Sequence, residues 1–377
     1  MKKKLLIGVS AEGSVVLLEG QMKHFKSLGY DTYLMGPYSE RLAAYCEREG
    51  CKHLNISIKR EISLLHDVVS LISILRIFSR IKPDIINLGT PKVSLLGMLA
   101  GRLLGIKKRI YTCRGYRLEH ETGLLRKILI LMEKITAACA HKVICISPSV
   151  REFGLENSLF PARKAVVIQK GSSNGIPLSR FNPNMVDHKE KASLQKNLNP
   201  ENSFVFGFVG RILDRKGINE LYEAFSKLRK KHNDIVLMVV GRFELSQIAD
   251  PGLIEKMKAD PAVILTGPQP NVPLYMSLMD VFVLPAWWEG FGNVLVQAAA
   301  MGVPVISTTG TGSRDAVSDG YNGLLVPPKS VHELVETMDK LYGDKALREE
   351  MGRNGLEWAK HFDSPIIWDG MEKLYQE

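Results

Sequence analysis

A chain of 377 residues, 45% hydrophobic and 24% charged, has room for two α/β domains, each with its own core. Charged residues interrupt every apolar run before it reaches transmembrane length, and the apolar part of MKKKLLIGVSAEGS is too short for a signal peptide. The formal charge of +10 is uneven: residues 1–180 hold 29 Lys and Arg against 14 Asp and Glu, the remainder 21 against 26. One half therefore faces something anionic, a membrane surface or a nucleic acid, and no nucleic-acid-binding module is recognisable in it. Five cysteines (Cys46, Cys51, Cys113, Cys139, Cys145) show neither zinc-ligand spacing nor a disulfide framework, as expected of reduced thiols.

In chain order, a strand is predicted at residues 5–9, a loop at 11–14 (AEGS), a helix at 15–28 ending at Gly29, and a strand at 32–35. This opening is Rossmann-like but lacks GxGxxG, so it carries no dinucleotide fingerprint. Residues 62–80 and about 124–138 read as apolar helices with interspersed cations: Arg60, Arg76, Arg80 and Lys82 for the first, Arg126, Lys127 and Lys134 for the second. Two readings stay open for each: a core helix flanking a parallel sheet, or a helix at a membrane interface with its cations on anionic headgroups. The charge asymmetry favours membrane contact for this half as a whole. Strands at 84–88 and 109–112 follow; the second leads into CRGYRLEH, where Arg114 and Arg117 are placed after a strand end to meet an anion. A strand at 142–147 ends in SPS, a helix N-cap signal. After a short strand at 166–169, the Gly/Ser/Asn/Pro-rich KGSSNGIPLSRFNP marks a domain boundary, and residues 185–201 read as a polar loop.

The second domain opens with a strand at 204–209, then Gly210 and Arg211, four residues, and Lys216 with Gly217. Strands at 236–240, ending at Gly241 and Arg242, and at 264–266 come next. A strand at 281–284 stops at Pro285, followed by Glu289, Gly290, Phe291, Gly292 and Asn293, a helix at 294–301 and a strand at 303–307. Strand, Gly-rich turn, helix, strand is one βαβ unit, with its loop where open parallel sheets bind ligands. Gly290 and Gly292 let a ligand approach the backbone, and the N–H groups opening the helix favour an anion such as a diphosphate. Glu289 can accept hydrogen bonds from vicinal hydroxyls. A sugar carried on a diphosphate meets both demands, whereas EGFG standing alone would read as a tight strand–helix connection beside a solvated carboxylate.

The surroundings decide between these. EGFGNVLVQA, MGVPV, GSRDAV and DGYNGLLV resemble the donor-binding segment of the retaining GT-B glycosyltransferases of family 4. GRILDRKG resembles the family's phosphate clamp; CRGYRLEH and KGSSNGI with a later F-N-P resemble its capsular polysaccharide (CapM-like) subgroup. The resemblance spans nearly the whole chain, most sharply residues 204–326. It implies an α/β GT-B fold of two Rossmann-like domains facing across a cleft: residues 1–175 for the acceptor, with a helix at about 358–377 crossing back, and 176–357 for the donor.

The resemblance also implies roles. Arg211 and Lys216 would neutralise the leaving diphosphate and Glu289 hold the sugar hydroxyls, as the catalytic set. Gly13, Gly210, Arg242, Gly290, Phe291, Gly292, Asn293 and Gln297 would bind the donor. Gln297 departs from the family, which places a second Glu there; it keeps hydrogen bonding to a ribose but loses charge assistance. Arg114 and Arg117, from their place after a strand end rather than from the resemblance, would meet an anion such as the acceptor's diphosphate. His120 is a loop residue rather than a catalytic base, because its register differs from the family's His, and Trp358 and Trp368 are packing anchors. With no DxD motif, the reaction is expected to need no metal and no cofactor, the UDP-sugar being a substrate. The activity implied is retaining transfer of a hexose or N-acetylhexosamine from a UDP-sugar to a polyprenyl-diphosphate-linked glycan, by a cytoplasmic protein on the inner face of the cell membrane. Two alternatives stand beside it: a sugar-nucleotide epimerase or hydrolase on the same fold, and a non-catalytic nucleotide-sugar binder in which Gln297 marks decay of the site.

Overall fold

In the computed structural model, which describes residues 2–58, 63–199 and 201–377, the chain forms two compact units: Met1–Gly175 with Ser364–Glu377, and Ile176–Asp363. The first unit is built on seven parallel strands: β1 (Lys4–Gly8), β2 (Asp31–Gly36), β3 (Lys52–Asn55), β4 (Ile85–Leu88), β5 (Lys108–Cys113), β6 (Lys142–Cys145) and β7 (Ala165–Val166). Their order is β3-β2-β1-β4-β5-β6-β7. Around them lie α1 (Gln21–Ser27), α2 (Glu40–Glu49), α3 (Leu64–Ile81), α4 (Pro91–Leu103), α5 (Gly123–Cys139) and α6 (Pro148–Glu156). Ser147 caps α6 by accepting from the Val150 N–H at 3.2 Å, as the SPS signal predicts.

Alternation along β1 sends Leu6 to one face of the sheet and Leu5 and Ile7 to the other. The Leu5 face is closed by the last helix of the chain, α15 (Ser364–Gln376), through Ile367, Met371 and Tyr375, spaced four residues apart on one helix face. Tyr375 is buried, and its hydroxyl accepts from Asn87 Nδ2 at 2.6 Å, while Asn87 Oδ1 accepts from Thr112 Oγ1 at 2.6 Å. Tyr375→Phe would leave the Asn87 amide unsatisfied inside this core. A loss of about 2 kcal/mol is expected, read by urea unfolding; an unchanged midpoint would contradict it.

The single helix predicted at 15–28 is two pieces, a 3-10 turn (Glu12–Leu18) and α1, separated at Gly20. Gly20 has φ +77°, and a side chain there would press to 2.7 Å from the Trp368 ring. Trp368 packs on this break and donates through Nε1 to Asn174 Oδ1 at 2.7 Å, a packing anchor within the first unit. The interruption comes from a residue 348 positions away, which local periodicity does not register.

Each of α3 and α5 turns an apolar face into the core, as a helix flanking the sheet does, and leaves other apolar residues exposed. Ile74 and Phe78 of α3 and Ala137 and Cys139 of α5 join the core. On the outside, Leu65, Val68, Val69 and Ile72 form an exposed stripe along α3, and Leu124, Ile128, Leu131 and Ile135 another along α5. Both helices pack against α4. Arg60 and Ile62 lie outside the described residues. Among the described residues no helix is long and apolar enough to cross a membrane.

The second unit holds six parallel strands, β8 (Phe204–Val209), β9 (Ile235–Val240), β10 (Val263–Gly267), β11 (Val281–Val283), β12 (Val305–Thr308) and β13 (Gly323–Val326), in the order β10-β9-β8-β11-β12-β13. Its helices are α7 (His188–Leu198), α8 (Ile218–Arg229), α9 (Pro251–Ala259), α10 (Val272–Met276), α11 (Asn293–Ala300), α12 (Ser313–Ala316), α13 (Val331–Gly343) and α14 (Lys345–Ala359). Here α7 corrects the loop predicted at 185–201. Asp187 caps it by accepting from Lys189 and Glu190 at 2.7 and 3.0 Å, and no residue of the helix is buried, so it lacks the apolar period that would betray it. Trp358 belongs to this unit, donating to the Ala316 carbonyl at 2.9 Å with its ring 5.5 Å from Phe362.

Candidate active site

In the second unit the strand order reverses at β8: β9 lies on one side of it and β11 on the other. The loops leaving β8 and β11 therefore lie side by side at the carboxyl edge of the sheet, the usual ligand position in such folds. Arg211 and Lys216 come from the first loop and Glu289 from the second, which is how residues 73 apart in sequence meet. Lys216 Nζ is ion-paired with Glu289 Oε1, and each side chain is only 13% exposed.

The backbone holds this pair tightly. The Trp287 N–H donates to the Arg215 carbonyl at 2.9 Å, tying the two loops together next to Lys216 and two residues before Glu289. Gly217, at φ +74°, brings the first loop against the second so closely that a side chain would overlap the Pro285 carbonyl oxygen. From the third side, the loop after β12 accepts the Glu289 N–H at the Thr311 carbonyl, 2.8 Å away. Gly210 and Gly241 form a comparable close contact where the β8 and β9 loops meet. The Ile212 N–H donates to the Arg242 carbonyl at 2.8 Å, and the Glu244 N–H to the Ile212 carbonyl at 2.9 Å.

Charge is concentrated here. Burial lowers the pKa of Arg215; Glu289 acts against that shift and Arg211 adds to it, so both lie within electrostatic reach of Arg215. Arg215 sits 5.7 Å from the centroid of the Trp288 ring. Three cations and a carboxylate thus share one edge of the sheet. Arg215 and Trp288 were missed in the sequence; the signals available were a second cation beside Lys216 and the paired tryptophans before Glu289.

The remaining predicted donor residues divide by setting. Gly292 takes φ +79° as the N-cap of α11, with Asn293 opening the helix and Gln297 half-buried one turn on, on the same face. Phe291 is buried with its ring 5.1 Å from Phe362, so its side chain anchors the loop rather than meeting a ligand. Arg242 is exposed and paired with Glu244 at 2.9 Å. Gly13 belongs to the first unit, exposed in the 3-10 turn. There too are Arg114, whose Nε donates to Ser173 Oγ at 2.8 Å, and Arg117, exposed and paired with Glu121 at 2.8 Å. His120 ends a 3-10 turn (Arg117–His120). Among the described residues, no group of three or more His, Cys, Asp or Glu is arranged to hold a metal ion.

Comparison with known proteins agrees with this architecture. Residues 12–178 match the family model described as Glycosyltransferase Family 4, and residues 189–358 that of Glycosyl transferases group 1. The chain is 35% identical to the capsular polysaccharide biosynthesis glycosyltransferase CapM of Staphylococcus aureus, over 99% of this chain and 97% of that protein. It is 30% identical to the UDP-Gal:alpha-D-GlcNAc-diphosphoundecaprenol alpha-1,3-galactosyltransferase of Escherichia coli, over 76% of this chain and 74% of that protein. Among solved structures, a glycosyltransferase from Rickettsia africae superposes with a TM-score of 0.82 at 19% identity, covering 100% of this chain and 98% of that one. HepE of Anabaena in complex with UDP gives 0.81 at 18% identity, covering 99% of each. The fold is accordingly the GT-B fold the motifs imply. A relative of this identity over nearly the full length settles membership: the chain belongs to the family 4 glycosyltransferases.

Proposed function

We propose that this enzyme transfers a hexose or N-acetylhexosamine from a UDP-sugar, with retention, to a polyprenyl-diphosphate-linked glycan during surface-polysaccharide assembly. The observation that carries the donor half is the Lys216–Glu289 pair beside Arg211 and Arg215 at the point where the strand order reverses. A nucleotide diphosphate entering there competes with Glu289 for Lys216, freeing the carboxylate to accept hydrogen bonds from the sugar hydroxyls. Arg211 and Lys216 then face the diphosphate oxygens as the glycosidic bond breaks and negative charge grows on the leaving group. In this role they replace a divalent cation, which makes the reaction metal-independent. Backbone N–H groups at Gly292 and Asn293 add the field of the α11 N-terminus, and Gln297 hydrogen-bonds the ribose. The UDP choice and the lipid-diphosphate acceptor follow the Escherichia coli relative, a UDP-Gal-dependent galactosyltransferase acting on a diphosphoundecaprenol-linked sugar.

Incubation with a panel of UDP-sugars, with and without lipid-linked acceptor and with a chelator present, tests this. Transfer only when acceptor is added is the expected result. Free sugar or an epimer formed without acceptor would replace transfer with hydrolysis or epimerisation, and an absolute requirement for added metal would overturn the metal-free step.

The acceptor half belongs to the first unit, working at the inner face of the cell membrane as a peripheral protein. The exposed apolar stripes of α3 and α5, with Arg76, Arg80, Arg126, Lys127 and Lys134 on the same two helices, suit an anionic bilayer surface. Each such cation contributes about 1 kcal/mol near an anionic surface. The protein is expected to float with liposomes containing anionic lipid, less so at high salt, and less so after Val68→Ser with Leu131→Ser. Equal recovery with purely zwitterionic liposomes would contradict the electrostatic part.

A further inference from the structure

Among the described residues, none supplies a counter-ion for Arg114. It directly follows β5, and among the described residues its side chain makes the one hydrogen bond to Ser173 and no ion pair. Burial pushes its pKa down to about 10, against the opposing influence of Tyr111, Cys113 and Tyr375. A guanidinium is a planar fork of five N–H donors, so both terminal nitrogens remain to serve something else.

Those nitrogens lie on Gly89, where a side chain would overlap Nη1. Gly89 is the residue after β4, and Thr90 is the N-cap of α4, a helix of 13 residues with no side-chain cap. Thr90 is only 7% exposed, and its Oγ1 is buried without a hydrogen-bond partner among the described residues. An N-cap hydroxyl normally accepts from the first turn; this one does not. In the same turn, Lys92 is neutralised by Asp67 at 2.8 Å, so it is not the cation left over. β4 and β5 are paired neighbours, which brings the two loops together at the carboxyl edge of the first sheet.

We infer that Gly89, Thr90, Arg114 and Ser173 form a phosphate subsite that takes the diphosphate of the lipid-linked acceptor. The guanidinium fork grips one phosphoryl group, and the dipole of α4 favours its charge. The Thr90 hydroxyl, and that of Ser173 whose oxygen is already occupied by Arg114, turn their protons to the same oxygens. Arg117, spent on Glu121 at the surface, is left out of it. This rests on the acceptor reading above, but it concerns the first unit alone.

The test is calorimetric titration of farnesyl diphosphate, and separately inorganic pyrophosphate, into protein saturated with UDP so that the donor residues are occupied. Two variants are compared with the wild type. Arg114→Gln removes the charge; Gly89→Ala keeps it but displaces the guanidinium, at a residue whose φ is not in the left-handed region. Both should weaken farnesyl diphosphate at least tenfold and raise the acceptor KM similarly, with UDP affinity unchanged. Undiminished binding in both variants would overturn the subsite. So would a fall in UDP affinity and melting temperature parallel to the loss, which marks a structural role. Binding of inorganic pyrophosphate but not of farnesyl diphosphate would overturn the assignment to the acceptor. Failure of UDP to bind the wild type would remove the donor reading instead, leaving the farnesyl diphosphate comparison to be read without it.

Discussion

Lys216→Ala is expected to lower kcat for sugar transfer by about 10²–10³-fold, the usual effect of deleting one donor aimed at developing negative charge. The physical reason is local. Lys216 and Glu289 are each 13% exposed and paired with one another, so the ammonium sits where water screens it poorly. The substitution removes that charge and also leaves Glu289 facing a low-dielectric pocket without its partner, so some loss of stability accompanies the loss of rate. A double variant separates the two effects. In Lys216→Met with Glu289→Gln both charges are gone, and the melting temperature should return toward the wild-type value while kcat stays low. If the pair were only structural, activity would return with stability.

Gly217→Ala should destabilise the second unit by about 3 kcal/mol, combining left-handed strain with a backbone overlap. Gly217 holds φ +74°, and its missing Cβ is replaced by the Pro285 carbonyl oxygen of the neighbouring loop. Neither atom sits at the end of a flexible side chain, so relief requires the two loops to part. Parting them carries Lys216 away from Glu289, and activity falls with stability. Gly267→Ala is the control: its φ is +69°, but a side chain there meets nothing within 4 Å. That variant isolates the conformational cost, about 1–2 kcal/mol. Thermal unfolding of the two side by side should show a clearly larger shift for Gly217→Ala; equal shifts would remove the role given to loop contact.

The strands of the second unit and the meeting of its two charged loops were legible because both are written locally. β8 and β11 are apolar runs, β12 starts inside the apolar run 303–306, and GRILDRKG and EGFGN carry their own turn glycines and charges. What was hidden depends on distant partners. The break at Gly20 exists to admit Trp368, and α7 is held by a cap and its exposed polar residues rather than by an apolar face. Arg215 was passed over since nothing in a string of basic residues tells which one burial and a neighbouring Glu289 will single out. The buried hydroxyl of Thr90 is invisible for a similar reason: TPK reads as an ordinary helix start until Arg114 is found lying against Gly89.

The central claim is that the second unit recognises a diphosphate through Arg211 and Lys216 of the loop after β8, where Lys216 meets Glu289 of the loop after β11. Calorimetric titration of UDP and of uridine into the wild type and into Arg211→Ala with Lys216→Ala measures that recognition directly, as the gap between the two ligands. A wide gap in the wild type that collapses in the variant, with uridine binding equally to both proteins, is the predicted result. A gap that survives the double substitution would mean that the diphosphate is held elsewhere, and the site described here would not be the donor site.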